Sequence, residues 1–200
     1  MEKKRSAGTT FSGLVNLLLL IFLITIILFP FISHAEDVRV TEYLDTATNY
    51  ILQRNYQQAL YYFEKALEIE PDNARENSGI GNTYAGMQEY QKAIPYLEKA
   101  IKIDPSDDTA YFGLGACYLD LQQHEKAIPY LKKAIEIRPD NKKASEALAI
   151  AFVRFAVNCG KSQQNQKAKD YIQSAIEIYQ KIGNEYRANE LRAMLKEMPD

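Results

Sequence analysis

Residues 74–107 read ARENSGIGNTYAGMQEYQKAIPYLEKAIKIDPSD, and residues 108–141 read DTAYFGLGACYLDLQQHEKAIPYLKKAIEIRPDN. Laid one over the other, they agree at Gly81 and Gly115, Tyr84 and Tyr118, Ala93 and Ala127, Leu97 and Leu131, Ala100 and Ala134, and Pro105 and Pro139. The same places in residues 40–73 carry Ala47, Tyr50, Ala59, Phe63, Ala66 and Pro71. The three prolines are spaced by 34 residues. Self-similarity at a fixed period of this length marks a solenoid, whose units are too small to bury an apolar face alone and stack on their neighbours instead.

Each unit reads as two helices. In residues 74–107 the spacing predicts one helix over Asn77 to Met87 and a second over Tyr90 to Ile103, with Gln88-Glu89 as a tight link. Ala93, Leu97, Ala100 and Ile101 fall at helical spacings on one face. Small Ala and Gly let neighbouring helices approach closely, and each repeated proline stops its helix and turns the chain. Pro95 and Pro129 fall near the starts of the second helices, where a missing N–H costs little.

These residues resemble the tetratricopeptide repeat, in which a small residue and a Tyr on the first helix precede Ala, a bulky residue, Ala and Pro. The bulky aromatic that the family favours early in the unit is Tyr43 and Tyr111 in the first and third copies, with Asn77 in the second. The resemblance covers units at 40–73, 74–107 and 108–141 and implies an all-α, right-handed superhelical solenoid of helix-turn-helix repeats. It also implies a non-catalytic scaffold that holds a protein or peptide in a concave groove. Some members clamp a chaperone's terminal carboxylate with Lys, Asn and Arg, but Leu44, Thr48, Thr109 and Gly113 stand at those places here, so that clamp is not expected.

A fourth unit, 142–183, begins with Leu148, Ala149 and Phe152 and then departs from the register. Its second helix carries Ala168, Ile172 and Ala175, displaced by seven residues. The polar stretch Gly160 to Gln166 reads as a longer loop, and Gly183 replaces the terminal proline as the stop. Residues 184–200 carry Leu191, Met194, Leu195 and Met198, the stripe of a capping helix.

Residues 1–35 read as an address. Lys3, Lys4 and Arg5 precede an apolar run from Leu14 to Ile32, and Ser33-His34-Ala35 offers a cleavage site between Ala35 and Glu36. The alternative is an uncleaved signal anchor, a membrane tether through residues 14–32. Both readings place residues 36–200 across a membrane, in a periplasmic or extracellular compartment. That part holds 21 Lys and Arg against 25 Asp and Glu, a balance of −4 that excludes a generally basic nucleic-acid binder. Its single His, His124, excludes sites that need two, and its two Cys exclude a disulfide-stapled scaffold.

Little else in the sequence suggests chemistry. Gly79-Ile80-Gly81 with Gly86 has the wrong order for a dinucleotide loop, and the repeat explains Gly81 and Gly115 as packing contacts. No hydrolase, zinc-protease or phosphate-loop pattern occurs, so no catalytic residue, metal or cofactor is expected. Cys117 and Cys159 are placed too far apart to bridge and read as two separate thiols. His124 reads as a solvated link residue. The tyrosines Tyr61, Tyr62, Tyr90, Tyr96 and Tyr130 read mainly as packing, with glycan or nucleobase stacking as the alternative.

The inner face is the best site candidate. Counting each unit from one, places 2, 5, 9 and 12 of the first helix cluster roughly 140° from the packing places. Stacking joins them into one concave surface. It reads Thr41, Leu44 and Thr48; Arg75, Ser78 and Asn82; Thr109, Phe112 and Ala116; Lys143, Glu146 and Ile150. A shallow channel is expected over the small residues Gly79, Gly113, Ala116 and Ala147. Phe112 is its aromatic anchor, facing away from the core between Asn82 and Ser78 on one side and Glu146 and Ile150 on the other. The occupant is a protein or peptide; a membrane-tethered assembly factor and a small-ligand or glycan module are the alternatives.

Overall fold

A computed structural model describes residues 22–24 and 37–198. Residues 22–24 are helical and exposed. The rest of the run from Leu14 to Ile32, and the Ala35/Glu36 junction, lie outside the described residues. Among the described residues no helix is long and apolar enough to cross a membrane.

Helix α1 covers residues 37–52. It is followed by α2 (Tyr56–Ile69), α3 (Ala74–Gly86), α4 (Tyr90–Ile103), α5 (Asp108–Asp120), α6 (His124–Ile137), α7 (Lys142–Lys161), α8 (Asn165–Lys181) and α9 (Glu185–Glu197). No strand occurs among the described residues. Successive helices pack pairwise, and the first helices of successive units also touch, α3 with α5 and α5 with α7. First helices therefore form one layer and second helices the other, the two-layer solenoid expected from the repeat.

The repeated residues do what their spacing implies. Asn73, Asp107 and Asn141 each follow a repeated proline by two residues and cap the next helix, accepting from the N–H of Arg75, Ala110 and Ala144 at 3.0 Å in each case. Gly81 and Gly115 mark the closest approaches: a Cβ there would lie 2.5 and 2.4 Å from Cγ of Leu97 and Leu131. Tyr50, Tyr84 and Tyr118 stack on Tyr62, Tyr96 and Tyr130 at ring separations of 5.6, 5.7 and 5.5 Å. Packing therefore accounts for those tyrosines.

The link inside each unit has a chemistry that the sequence did not reveal. Arg54, Gln88, Gln122 and Gln163 all adopt positive φ, between 58 and 63°. The next residue's N–H then reaches back to the helix: Glu89 to the Tyr84 carbonyl at 2.9 Å, Gln123 to Tyr118 at 2.8 Å and Gln164 to Cys159 at 2.9 Å. This Schellman closure satisfies the last carbonyls. Gly183, at φ 80°, closes α8 in the same way, with Asn184 N–H on the Tyr179 carbonyl.

Three expectations need correction. Gly160 to Gln166 is not a long loop. Helix α7 runs through Lys161, giving 20 residues against 13 in α3 and α5, and only Ser162 to Gln164 separate it from α8. Seven extra residues make nearly two turns, so Ala156 and Cys159 continue the buried stripe of Leu148 and Phe152. Second, α3 begins at Ala74 rather than Asn77. Third, Pro95 and Pro129 are the sixth residues of α4 and α6, beyond the free first turn. They are tolerated because both are exposed, which leaves the freed Gln91 and Glu125 carbonyls to solvent.

The buried apolar side chains fall into three clusters. One joins Leu44, Ala59 and Phe63 of the first unit to Ile80. A second joins Ala93 and Leu97 to Leu114 and Cys117. The largest runs from Ala127 through Phe152 and Ile172 to Leu191 of α9, with Met194, Leu195 and Met198 packed against it, so the predicted stripe does cover the end of the fourth unit. Cys117 and Cys159 are both buried free thiols. Burial pushes the Cys117 thiol up to about 11.

Candidate functional site

An open groove of ≈ 680 Å³ lies across α1, α3 and α5. Leu44, Thr48, Arg75, Ser78, Asn82, Thr109 and Phe112, all read from the helical angle alone, line it together. Ile51, at place 12 of the first unit, joins them. Thr48, Arg75 and Thr109 are exposed, whereas Leu44 and Ser78 retain only 4 and 5 % exposure and form the floor.

The groove does not extend along the whole solenoid. Ala116 and Lys143 do not line it, and Glu146 and Ile150 border a separate pocket of ≈ 400 Å³ with α8 and α9. The channel expected over small residues is also filled. A Cβ on Gly79 would lie 2.4 Å from the Phe63 ring, and one on Gly113 would lie 2.5 Å from Oδ1 of Asn82. Phe63, on a second helix, therefore reaches the groove through the gap that Gly79 leaves. Phe112 lines the groove but is only partly exposed and packs on the largest core cluster, so it does not face away from the core.

Sequence reasoning missed the far rim. Asp104, Asp107, Asp108 and Arg138 come from the turns between units, which an inner-face count of first helices omits. Their charges are structurally engaged. Ser106 donates both its N–H (2.8 Å) and its hydroxyl (2.6 Å) to Asp104, which holds that carboxyl below its ordinary range. Asp107 caps α5, and Asp108 accepts from Arg138 at 2.5 Å and from Asn141 at 3.3 Å. Arg75 has no ion-pair partner among the described residues and gives the opposite rim a free cation.

Among the described residues, two buried titratable groups outside the groove hold sealed polar atoms without a hydrogen-bond partner. Glu76, on α3 between the groove residues Arg75 and Ser78, is fully buried, and neither carboxyl oxygen has a hydrogen-bond partner. Burial pushes its pKa up, and the Glu70 carboxylate adds to that. The same place in the next two units holds Ala110 and Ala144, both fully buried. His124 is not the solvated link residue expected: it opens α6 at 8 % exposure with Nδ1 unpartnered. Burial lowers its pKa and the nearby Arg154 cation of α7 lowers it further.

Among the described residues no group of three or more His, Cys, Asp or Glu could hold a metal ion. What the groove offers is a surface: a mostly apolar floor, amide and hydroxyl groups above it, and charges of both signs at its rims.

Comparison with known proteins gives the same picture. One tetratricopeptide-repeat family profile matches residues 84–150 and another matches residues 41–73, half of the chain between them. No curated protein matches the chain. Among solved structures, MamA from Desulfovibrio magneticus RS-1, residues 41 to the end, is 20 % identical over 80 % of this chain and 94 % of its own, with a TM-score of 0.57. YrrB, a TPR protein with an unusual peptide-binding site, is 22 % identical over 76 % of this chain and 82 % of its own, at 0.53. The first TPR of Spaghetti (RPAP3), bound to an HSP90 peptide, is 21 % identical over 56 % of this chain and 90 % of its own, at 0.54. At these identities the likeness is one of fold. The matching profiles, the 34-residue register and the two-layer stack together establish that the chain belongs to the tetratricopeptide-repeat family.

Proposed function

We propose that the protein is a scaffold that binds a partner protein through an extended peptide segment laid in the groove across α1, α3 and α5. The observation that carries this reading is the convergence of exposed polar side chains from three successive first helices over one mostly apolar floor. Leu44, Ile51, Phe63 and Phe112 offer apolar contact, while Asn82 and Arg75 offer hydrogen bonds and charge to a main chain above them. The peptide-bound RPAP3 domain and the peptide-binding site of YrrB support the reading by analogy of fold. A test is to select binders from a random peptide library on the parent protein and titrate them against a Thr48→Arg, Thr109→Arg double variant. Both positions are exposed, so the variant keeps its fold while added bulk fills the groove. Loss of about tenfold or more in affinity is expected. Unchanged affinity would show that the groove is not the site.

The same proposal includes export. The cationic start, the apolar run from Leu14 to Ile32 and the Ser33-His34-Ala35 site support delivery of residues 36–200 across a membrane. A mature N-terminus at Glu36 is expected from sequencing. A full-length species that resists high-salt extraction from membranes would mean that residues 14–32 remain as a tether.

A further inference from the structure

The lengthened α7 borders the second pocket, ≈ 400 Å³, where it meets α8 and α9. Two of its walls are aliphatic: Ile150 and Val153 from α7, Leu191 and Met194 from α9. Tyr179 of α8 lines it at only 5 % exposure. Burial raises the pKa of its hydroxyl; Arg187 opposes that shift, and Glu146 and Glu190 add to it. Tyr179 and all three of those charged groups line the pocket. The hydroxyl makes no hydrogen bond to another described residue and is not among the sealed polar atoms, so it can bond to a ligand in the pocket.

The pocket also holds charged side chains. Glu146 and Arg154 lie eight residues apart on α7, about 12 Å along the axis. Neither has an ion-pair partner among the described residues. The other two charges, Arg187 and Glu190, pair with each other at 2.8 Å. The lining thus combines an unpaired carboxylate, Glu146, and an unpaired guanidinium, Arg154, spaced along α7, with the Tyr179 hydroxyl, the Arg187–Glu190 pair and four aliphatic side chains completing the wall.

We infer that this pocket binds an aliphatic chain carrying an ammonium at one end and a carboxylate at the other. Glu146 and the Tyr179 hydroxyl accept from the ammonium, Arg154 donates to the carboxylate, and the aliphatic walls cover the methylenes. An extended six-carbon chain of about 7 Å, with a charge-assisted contact of about 2.8 Å at each end, is comparable with the separation of the two charged residues. A lone anion would face Glu146, and a lone amine would leave Arg154 unpaired. The required pattern is that of an ω-amino acid, supplied either by a lysine at the C-terminus of a peptide or by a free amino acid. This site is separate from the groove upstream and stands or falls without it.

The test is calorimetric titration of the full chain with 6-aminohexanoate, hexylamine and hexanoate. The dipolar probe is expected to bind at least about tenfold tighter than either singly charged one. Glu146→Gln should weaken 6-aminohexanoate and hexylamine but not hexanoate; Arg154→Gln should weaken 6-aminohexanoate and hexanoate but not hexylamine. Both side chains are exposed, so neither change threatens the fold. Tyr179→Phe should weaken the ammonium-bearing probes only. To separate the two sources, a peptide ending in lysine is compared as free acid and as amide. Tighter binding of the free-acid peptide than of 6-aminohexanoate assigns the site to a protein terminus, and the reverse assigns it to a free amino acid. Absence of binding by 6-aminohexanoate, equal affinity for all three probes, or variants that bind like the parent would overturn the inference.

Discussion

Replacing Glu76 with methionine should make the protein more stable, and the gain should depend on pH. The carboxyl is fully buried and both of its oxygens lack hydrogen-bond partners. A buried polar group left unpaired costs about 1–3 kcal/mol. Methionine keeps the length and volume of the side chain, so the space around it stays filled, whereas alanine, suited to the same place in the next two units, would leave a cavity here. The expected gain of about 1–3 kcal/mol corresponds to about 2–12 °C in melting temperature for a chain of this size. The pH signature follows from the raised pKa of the buried group. In the unfolded chain Glu76 ionises as pH rises through its ordinary value near 4.5, while in the folded chain it holds its proton longer. The parent therefore loses stability as pH rises from that value through the folded pKa, and the methionine variant does not. Thermal and urea unfolding of both proteins from pH 4 to pH 8 would measure the difference. A methionine variant no more stable than the parent at pH 7, or an offset that does not narrow toward pH 4, would refute the reasoning.

Other perturbations probe the rest of the structure. Gly115→Ala should cost about 1–3 kcal/mol by urea unfolding, because its Cβ would lie 2.4 Å from Cγ of the fully buried Leu131. Pro129→Ala should stabilise by about 1–2 kcal/mol, because it restores an N–H to the Glu125 carbonyl, less the entropy regained by the unfolded chain; a lower melting temperature would mean that α6 is not continuous there. His124→Gln should flatten the acid limb of the stability curve. The depressed folded pKa means that the unfolded state binds a proton first, so the parent loses stability as pH falls from about 6.5 toward the folded pKa. Identical acid limbs in parent and variant would contradict the burial of this imidazole.

The features most legible in the sequence were those set by contact between neighbouring units. Gly81 against Leu97, Gly115 against Leu131 and the caps at Asn73, Asp107 and Asn141 each depend on a few residues at fixed separation, and such constraints leave a period. Seven groove residues followed from helical angle because first helices stack in register. The angle gives a direction but no depth, so it could not show that Phe63 fills the space over Gly79 or that Leu44 and Ser78 form the floor. The extension of α7 was hidden by composition: Gly160 and the polar residues after it resemble a loop, yet Ala156 and Cys159 keep the apolar stripe running. His124 and Glu76 were hidden because their burial depends on neighbouring elements that their own helices do not reveal.

The division of the apolar interior into three clusters bears on how the molecule comes apart. A long, narrow stack has no single nucleus whose loss melts everything at once, so its ends and joints can open separately. The groove crosses those joints: Leu44 and Phe63 belong to the first cluster, and Phe112 rests on the largest. A segment bound from Thr48 to Phe112 would act as a splint, coupling the breathing of modules that otherwise fray independently. Amide hydrogen exchange would show this as slowed opening in α2 and α4, on the outer layer, at backbone sites that the bound segment never touches.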